Sequence, residues 1–408
     1  MLINYEAYTL LNMKVFLIFT SLLTILPWQG WAKEKEFFVH YMPWYEAKPH
    51  SPSWGYHWTM NHFNPDQKDK KGHRKVASHD YPLLEPYDSN DPAILECHVQ
   101  WIKLAGIDGV IIDWYGIEDH FDYAMTHRNT QHLIKYIKKA GLKFIICYED
   151  QTYPNTLKNN LITPDQAYPN GLKVMKWMDQ NWFSDPSYFT IDSQPLLLVF
   201  GPQYFKENEW ESFFSKLKHP PLLFGLPHLS KSSGTVGSFA WPPAHGGKEV
   251  PVSEWTDFLT HLYEKTNKGE AIIPAVFPGY RDIYKEAKLH ESYGFIDSRK
   301  GVTLEETFDL ALKCKSDIVQ ISTWNDYGEG TVVEPTTNRG YQYLSAIQKR
   351  LVPADEIKYR NLKLAFQIYQ IKSKSEPTPE LLSKLQYIQN LLYQGHFNNL
   401  QSLLDTMK

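Results

Sequence analysis

The chain has 408 residues and a formal net charge of −4, with 42 Lys and Arg against 46 Asp and Glu and no long run of either sign. This balance argues against nucleic-acid binding through a basic patch, and the lack of a phosphate-binding loop or dinucleotide-binding glycine motif predicts no organic cofactor. Aromatic residues make up 15% of the chain, and many follow predicted strands, where exposed rings suit flat, weakly polar ligands such as sugars.

The first predicted element is a secretory signal. Met13 and Lys14 precede the apolar run 15–28, which has the length of a signal-peptide core and is too short to span a membrane. Residues 30–32 offer a small-x-small cleavage site, so we predict a signal peptide over 1–32. Its first twelve residues are either an upstream extension or the product of a misassigned start codon. We expect an exported protein, periplasmic or secreted, with no membrane insertion after cleavage.

Eight short apolar strands follow, and segments of helical period lie between them. The strands read FFVHYMPWYE, DGVIIDWYG, KFIICYED, PLLLVFGP, LLFGLPH, SFAWPP, AIIPAVFPGY and DIVQISTWNDYGEG. The helical segments are predicted over 92–105, 128–140, 172–181, 207–218, 252–266 and 304–313. This alternation is typical of βα units. We therefore predict an α/β fold, a (β/α)8 TIM barrel over residues 33–345, with extended βα loops.

Residues 346–408 are predicted to form a C-terminal helical segment. The pattern turns helical after Tyr341, and a Ser-Glu-Pro-Thr-Pro sequence interrupts it around Glu376. The last two helical stretches are amphipathic. We expect them to pack on the outside of the barrel or to form a small appendage.

The cysteines and histidines predict no metal site. Cys97, Cys147 and Cys314 lack the spacing of metal ligands, and no two of the 16 histidines show the i, i+4 spacing beside a glutamate that a helical zinc site requires. We interpret the cysteines as buried small hydrophobic residues, with a disulfide as the alternative in an oxidising compartment.

The exit of the eighth strand holds the strongest candidates for catalysis. In a (β/α)8 barrel, the residues just past the strands' carboxyl ends form the active site. Asp326 and Glu329 stand there, three residues apart, after Trp324 and Asn325. Burial against aromatic rings can hold one carboxyl protonated while the other stays ionised, as glycosidic cleavage requires. The alternative is a solvated turn in which both carboxylates only cap backbone amides.

Carboxylates also end the second and third strands. Asp113, followed by Trp114, ends the second strand, and Glu149 ends the third. Carboxylates at such exits either hydrogen-bond sugar hydroxyls or orient other catalytic groups. The alternative is that they form structural ion pairs.

The first and seventh strands add rings and a cation. Tyr45, His57 and Trp58 follow the first strand, and Tyr280 and Arg281 follow the seventh. A ring that stacks on a sugar and a ring that fills the core look alike in sequence, so we assign about half of the aromatic residues after strand 1 to the cleft. Arg281 either binds a pair of hydroxyls or pairs with a neighbouring acid.

Five motifs in the chain resemble those of one enzyme family. They are HYMPWYE, SWGYHWTMN, GIDGVIIDWYG, FIICYED and TWNDYGEGTVVEP, and in this order, from about Phe37 to about Pro335, they resemble glycoside hydrolase family 99, the endo-α-mannosidases, or a closely related family 71/99-like group. The resemblance implies a (β/α)8 barrel, no metal, and endo-cleavage of α-mannosides with retention. In the implied mechanism, one carboxylate deprotonates the substrate's 2-hydroxyl, which attacks C1 to give an epoxide-like intermediate. A second carboxylic acid protonates the leaving oxygen and later activates water.

The resemblance also implies roles for individual residues. Glu329 falls at the acid/base position, and Asp326 falls at the base that assists the 2-hydroxyl. The family motif carries Glu at this second position, and losing one methylene withdraws the carboxylate by roughly 1 Å. The resemblance further implies sugar-contacting rings and hydroxyl-binding groups, which are Trp114 and Tyr45, and Glu149, His57 and Arg281, respectively.

The sequence therefore predicts an exported, monomeric glycoside hydrolase that cleaves an internal α-linkage in an oligosaccharide or polysaccharide. An α-1,2-linked mannan or mannose-capped glycan is the first substrate expected. One alternative is a hydrolase of a different α-glycan, such as a glucan. The other is a glycan-binding protein with impaired catalysis, in which the shortened Asp326 is the lesion.

Overall fold

The computed structural model describes residues 35–230, 234–374 and 378–406. The predicted signal peptide over 1–32 lies outside the described residues. Within these described ranges, no helix is both long enough and apolar enough to cross a membrane.

The strands form one closed parallel barrel with two small antiparallel additions. In chain order they are β1 (Glu36–Tyr41), β2 (Gly109–Trp114), β3 (Lys143–Tyr148), β4 (Thr190–Ile191), β5 (Gln194–Val199), β6 (Leu222–Gly225), β7 (Gly237–Phe239), β8 (Ala271–Ile273), β9 (Ala275–Val276), β10 (Tyr280–Arg281), β11 (Phe295–Ile296) and β12 (Ile318–Ile321). The hydrogen-bonded order of the parallel strands is β8-β7-β6-β5-β3-β2-β1-β12-β9. β4 pairs with β5, and β10 pairs with β11.

The barrel closes through a seventh strand that is split at Pro274. β8 pairs with β7 on one side, and β9 pairs with β12 on the other. Proline has no backbone N–H, but the Pro274 carbonyl accepts a hydrogen bond of 3.0 Å from the Gln320 amide. With β8 and β9 counted as one, all eight predicted strands and the predicted (β/α)8 barrel are confirmed.

Helices surround the barrel at the predicted places. They are α1 (Tyr56–Thr59), α2 (Pro92–Leu104), α3 (Tyr123–Lys139), α4 (Thr152–Lys158), α5 (Pro164–Met178), α6 (Glu207–Phe214), α7 (Val252–Glu264), α8 (Val302–Lys313), α9 (Gln342–Leu351), α10 (Lys363–Lys374), α11 (Pro379–Tyr393) and α12 (Leu400–Asp405). α5 begins earlier than the predicted Leu172, because Pro164 suits a first helical turn and the Gln166 side chain accepts from the Thr163 amide at 2.8 Å. In the C-terminal region, α10 and α11 both contact α2.

Alternation along the strands divides the apolar residues into two cores. Phe38, Ile111 and Ile145 belong to the core inside the barrel, whereas Val39 and Ile112 belong to the core between the barrel and its helices. Towards the carboxyl ends, the same inward register reaches buried polar side chains, which are His40, Asp113, Cys147, Gln320 and Ser322. The apolar interior therefore gives way to a polar floor at the end of the barrel where barrel enzymes carry their active sites.

Candidate active site

A cleft of about 1780 Å³ opens at the carboxyl ends of the barrel strands. Its inner wall combines four carboxylates with aromatic rings and a histidine. These side chains are Tyr45, His57, Asp113, Tyr115, Glu149, Trp241, Tyr280, Tyr284, Asp326 and Glu329. The cleft is larger than the roughly 300–1,000 Å³ of sites for small ligands, so it has room for an extended one.

The segment after β12 is a loop that folds back on its own start. The Thr323 amide donates to the Thr331 carbonyl at 2.9 Å, and the Val333 amide donates to the Thr323 carbonyl at 3.0 Å. Gly330 has φ +69° and lies so close to the Arg281 carbonyl oxygen that a Cβ there would be 2.5 Å from it. Only glycine fits this position without a clash. The closed loop holds Asp326 and Glu329 at the cleft.

Asp326 is fixed by the backbone of this loop. Its amide donates to Thr323 Oγ1 at 2.8 Å, and its Oδ1 accepts from the Glu329 amide at 2.9 Å. Burial raises the pKa of Asp326 to about 6, while the Glu329 and Gly328 amides and His57 oppose the rise. Asp326 therefore does cap a backbone amide, but it is only 5% exposed, which rules out the solvated-turn alternative for this residue.

Glu329 is held as the more basic carboxyl of the two. Burial and the neighbouring Asp326 charge raise the pKa of Glu329 well above its usual range, and hydrogen bonds from Trp241 and Tyr280 oppose this. The bond from Trp241 Nε1 to Glu329 Oε2 is 3.2 Å long. The Glu329 carbonyl accepts from the Arg281 amide at 2.9 Å. The pair therefore favours a proton on Glu329 over one on Asp326.

Asp113 and Glu149 form a second carboxyl pair on neighbouring strands. Asp113 is the last residue but one of β2 and lies opposite Cys147 of β3, and the Glu149 amide continues the ladder by donating to the Trp114 carbonyl at 3.0 Å. Burial raises the pKa of Asp113 well above its usual range, and the Glu149 charge and hydrogen bond add to this. Burial raises the pKa of Glu149 to about 7, opposed by hydrogen bonds from Gln151 and Asp113. Asp113 therefore carries the proton and donates it to Glu149.

The residues after β1 form an aromatic wall. The His57 ring stacks on Trp44 with 4.1 Å between centroids, and His57 Nε2 lies 3.1 Å from Asp122 Oδ2. The Tyr45 hydroxyl donates to the Asn325 carbonyl at 2.8 Å and accepts from the Tyr327 amide at 3.1 Å. Tyr45 thus borders the cleft while its hydroxyl supports the loop that carries Asp326 and Glu329.

Three predicted substrate-binding aromatic rings lie in the core instead of the cleft. Trp58, Trp114 and Trp324 are 0% exposed. Trp114 follows Asp113 on β2 and points to the opposite side, because neighbours on a strand alternate. Its ring meets Trp182 outside the barrel, with 4.8 Å between centroids. All three residues have rings of the kind that stack on sugars, but these rings pack in the core. Residue type alone therefore did not predict their location.

Two predicted polar contacts are also placed outside the cleft. Asn325 is fully buried, and its side chain bonds the Met42 amide and carbonyl at 2.8 and 3.0 Å and Tyr87 at 3.0 Å. Arg281 is exposed, and its side chain does not line the cleft. Only its backbone serves the site, through the amide bond to Glu329.

Trp241, Tyr115 and Tyr284 line the cleft but were not singled out from the sequence. A signal existed for Trp241, because it stands two residues after Phe239 of β7 and so keeps the inward register of that strand. Tyr284 lies in the irregular segment after β10, where no periodic pattern gives a direction.

A buried polar network supports the loop from behind. Glu334 accepts from the Tyr87 hydroxyl at 2.8 Å and lies 3.2 Å from His98 Nε2, and the side chains of Glu334 and His98 are fully buried. His98 Nδ1 bonds the Tyr41 hydroxyl at 2.9 Å. Since buried polar groups normally have partners, these contacts fix the loop's exit.

The chain resembles known proteins in sequence and fold, although no family model matches it. It is 24% identical over 283 residues to a glycoprotein endo-alpha-1,2-mannosidase of Xenopus laevis, covering 64% of this chain and 59% of that protein. It is 23% identical over 330 residues to the Mus musculus protein of the same name, covering 73% and 68%. The chain thus spans less than two thirds of the length of the Xenopus relative.

A solved structure of similar fold is the GH99 endo-alpha-mannosidase from Bacteroides thetaiotaomicron in complex with BIS-TRIS-Propane. It has a TM-score of 0.58 and 18% identity, and the match covers 80% of this chain and 98% of that one. A second is a glycoside hydrolase-like protein with a TM-score of 0.53 and 11% identity, covering 79% and 95%. At these identities the likeness shows the barrel fold.

Proposed function

We propose that this chain, which is GH99-like in sequence and fold, is an endo-acting glycosidase that cleaves internal α-mannosidic linkages. The observation that carries the proposal is the Asp326 and Glu329 pair, because the two carboxyls face one cleft with separated proton affinities. Hydrolysis of a glycoside needs one carboxylic acid and one carboxylate at the scissile bond. The names of the sequence relatives supply the choice of α-mannoside.

In the first step, the Asp326 carboxylate takes the proton of the substrate's 2-hydroxyl. The oxygen O2 attacks C1, the bond from C1 to the leaving oxygen breaks, and Glu329 gives its proton to that oxygen. The products are a 1,2-anhydro sugar, a protonated Asp326 and an ionised Glu329. Trp241 suits this change, because its N–H stabilises the carboxylate form of Glu329 that develops in the step.

In the second step, ionised Glu329 takes a proton from water, which attacks C1. The bond between C1 and O2 breaks, and O2 recovers its proton from Asp326. Two inversions at C1 give net retention, and both carboxyls return to their starting states. The backbone bond between the Glu329 amide and Asp326 Oδ1 keeps the two groups in register throughout.

The outer cleft supports endo-action on a long substrate. Beyond the carboxylates, the lining continues over rings and histidines of α7 and of several loops, which include His228, His245, Phe258, His261 and Tyr293. Phe258 is 46% exposed and Tyr293 is 51% exposed. Exposed rings beside an open cleft suit the flat faces of further sugar units. Asp113 and Glu149 are proposed to bind sugar hydroxyls at the inner end.

The test is product release from a panel of α-1,2-mannans and α-glucans by protein beginning at Lys33. Oligosaccharides from mannan, absent with Glu329→Gln and retained with the exposed Glu270→Gln control, would support the proposal. Activity restricted to another glycan would move the chain to a different specificity. Saturable binding without products would instead support a glycan-binding protein.

We also propose that the protein is exported and that it acts as a monomer. The support for export is the apolar run 15–28 followed by the small-x-small site at 30–32. N-terminal sequencing of protein from the periplasm or medium should give Lys33 as the first residue. A cytoplasmic chain that keeps residues 1–32 would contradict export, and light scattering gives the oligomeric state.

A further inference from the structure

Beneath the cleft floor, three different metal-ligand types meet on three neighbouring strands. His40, Asp113 and Cys147 lie on or at the ends of β1, β2 and β3, which are adjacent in the barrel. One ligand atom from each lies within 4.8 Å of the other two. Asp113 and Cys147 are direct partners in the β2–β3 register, so the barrel itself sets their approach.

The three residues are buried, and their polar atoms are poorly satisfied. His40 and Cys147 are 0% exposed and Asp113 is 3% exposed. Among residues 35–230, 234–374 and 378–406, no group completes a hydrogen bond with either ring nitrogen of His40 or with Asp113 Oδ1. Buried polar atoms normally have partners, and each exception requires an explanation. The unpartnered atoms of His40 and Asp113 therefore belong to two of the three residues whose possible ligand atoms lie close together.

The ligand chemistry suits a cation. A neutral His40 ring would offer a nitrogen lone pair to a metal ion. Cys147 is a free thiol, and a bound metal ion displaces the proton of a coordinating thiol. Binding of the ion would displace the protons of both Asp113 and Cys147, and these two anionic ligands would then neutralise a divalent ion in the barrel interior.

We propose that His40, Asp113 and Cys147 bind one divalent metal ion of the zinc class beneath the cleft. Nitrogen, thiolate sulfur and carboxylate oxygen are the ligands that zinc takes in proteins, whereas calcium and magnesium take oxygen. This differs from the expectation from sequence, because the three ligands come from three strands and share no local spacing. The site shares Asp113 with the proposed sugar-binding pair, but its test does not require glycosidase activity.

The surroundings fit such a site. Gln320 lies beside the His40 ring, and its Oε1, unpartnered within the described part of the chain, is suited to accept from the ring nitrogen that does not bind the metal. Asp113 lines the cleft, which gives an ion a route of entry. One Asp113 oxygen would bind the ion while the other keeps its contact with Glu149.

The test uses Co²⁺ as the probe on the purified protein after removal of metals with a chelator. Equilibrium dialysis should give one bound Co²⁺ per chain with the absorption of thiolate-to-cobalt charge transfer, and Zn²⁺ should displace it. Cys147→Ser should abolish the charge-transfer absorption. Cys97→Ser and Cys314→Ser are matched controls, because both cysteines are buried and free but lie outside the group, and both variants should keep it.

Two results would overturn the proposal. One is the absence of a charge-transfer absorption from the wild-type protein at saturating Co²⁺. In that case the hydrogen bond between Asp113 and Glu149 would be the only interaction proposed for Asp113. The other is an absorption that survives Cys147→Ser. If that variant does not fold, His40→Gln decides, with at least a tenfold weaker Co²⁺ affinity expected and an unchanged affinity contradicting the site.

Discussion

Both carboxyl pairs of the cleft are largely buried, with Glu329 the most exposed of the four carboxyls, but the pairs differ in construction. Asp326 and Glu329 lie on one loop. Asp326 accepts a hydrogen bond from the Glu329 backbone amide, whereas the Glu329 carboxyl accepts one from the Trp241 side chain. Asp113 and Glu149 come from two strands and share a proton directly. Both carboxyls of the loop pair remain available to a ligand, and the proton affinities of the two carboxyls differ. In the strand pair, one carboxyl donates a hydrogen bond to the other, which suits positioning more than proton transfer.

Removing the proton of Glu329 should have the largest effect of the changes considered. Glu329→Gln should lower kcat on mannan by about 10²–10⁴-fold with little change in KM, because it deletes proton transfer and keeps the shape. Steady-state kinetics check this, with Glu149→Gln as the matched change in the strand pair. A larger loss of kcat in Glu149→Gln than in Glu329→Gln would reverse the roles assigned to the two pairs.

Lengthening the other loop carboxylate should have the next largest effect. Asp326→Glu moves the carboxylate by roughly 1 Å and displaces its bond to the Glu329 amide, so we expect kcat to fall by about ten- to a hundredfold. The same kinetic assay measures it. A gain in turnover would instead show that the natural Asp326 impairs catalysis.

The pH profile of kcat/KM tests the assignment of Asp326 as the base without mutation. Asp326 must be ionised to accept a proton, and its pKa is about 6, so log(kcat/KM) should fall with unit slope, about tenfold per pH unit, below pH 6. The raised pKa of Glu329 keeps it protonated above that point. An acid limb near pH 4 would contradict the assignment of the base to Asp326.

The strand pair should affect stability in a pH-dependent way. The folded pKa of Glu149 is about 7, above its ordinary 4.5, so the carboxyl lowers stability as pH rises through this interval and has no effect below it. Glu149→Gln should therefore raise the free energy of unfolding by about 1–3 kcal/mol at pH 8 and leave it unchanged at pH 4. Urea denaturation at both pH values, with Glu270→Gln as control, checks this. An equal effect at both pH values would point to packing.

The smallest expected effect concerns the donor to Glu329. Trp241→Phe removes a hydrogen bond that favours the ionised carboxyl, so the alkaline limb of kcat/KM should move up by about one pH unit or less. A pH series on the variant measures the shift. A downward shift would mean that Trp241 acts mainly by keeping water away from Glu329.

The sequence predicted the barrel well because apolar strands and helical periods are local patterns. It also identified the strand exits, and seven of its twelve candidate residues line the cleft. The positions of the other five depend on the direction in which each side chain points, and residue type alone does not determine that direction. Trp58 and Trp324 fill the core and Trp241 faces the cleft, although all three are tryptophans near strand exits. The meeting of His40, Asp113 and Cys147 depends on strand order, which no local motif contains.

The division of the seventh strand at Pro274 makes one side of the barrel a seam. β8 has three residues and β9 has two, whereas β1, β2 and β3 have six each. Amide protons along this seam should therefore exchange with solvent earlier than those of the continuous wall. Trp241 and Glu329 follow the strands that flank the seam, whereas Asp113 and Glu149 lie at the carboxyl end of the continuous wall. Local breathing would thus loosen the donor to Glu329 while the strand pair stays in place.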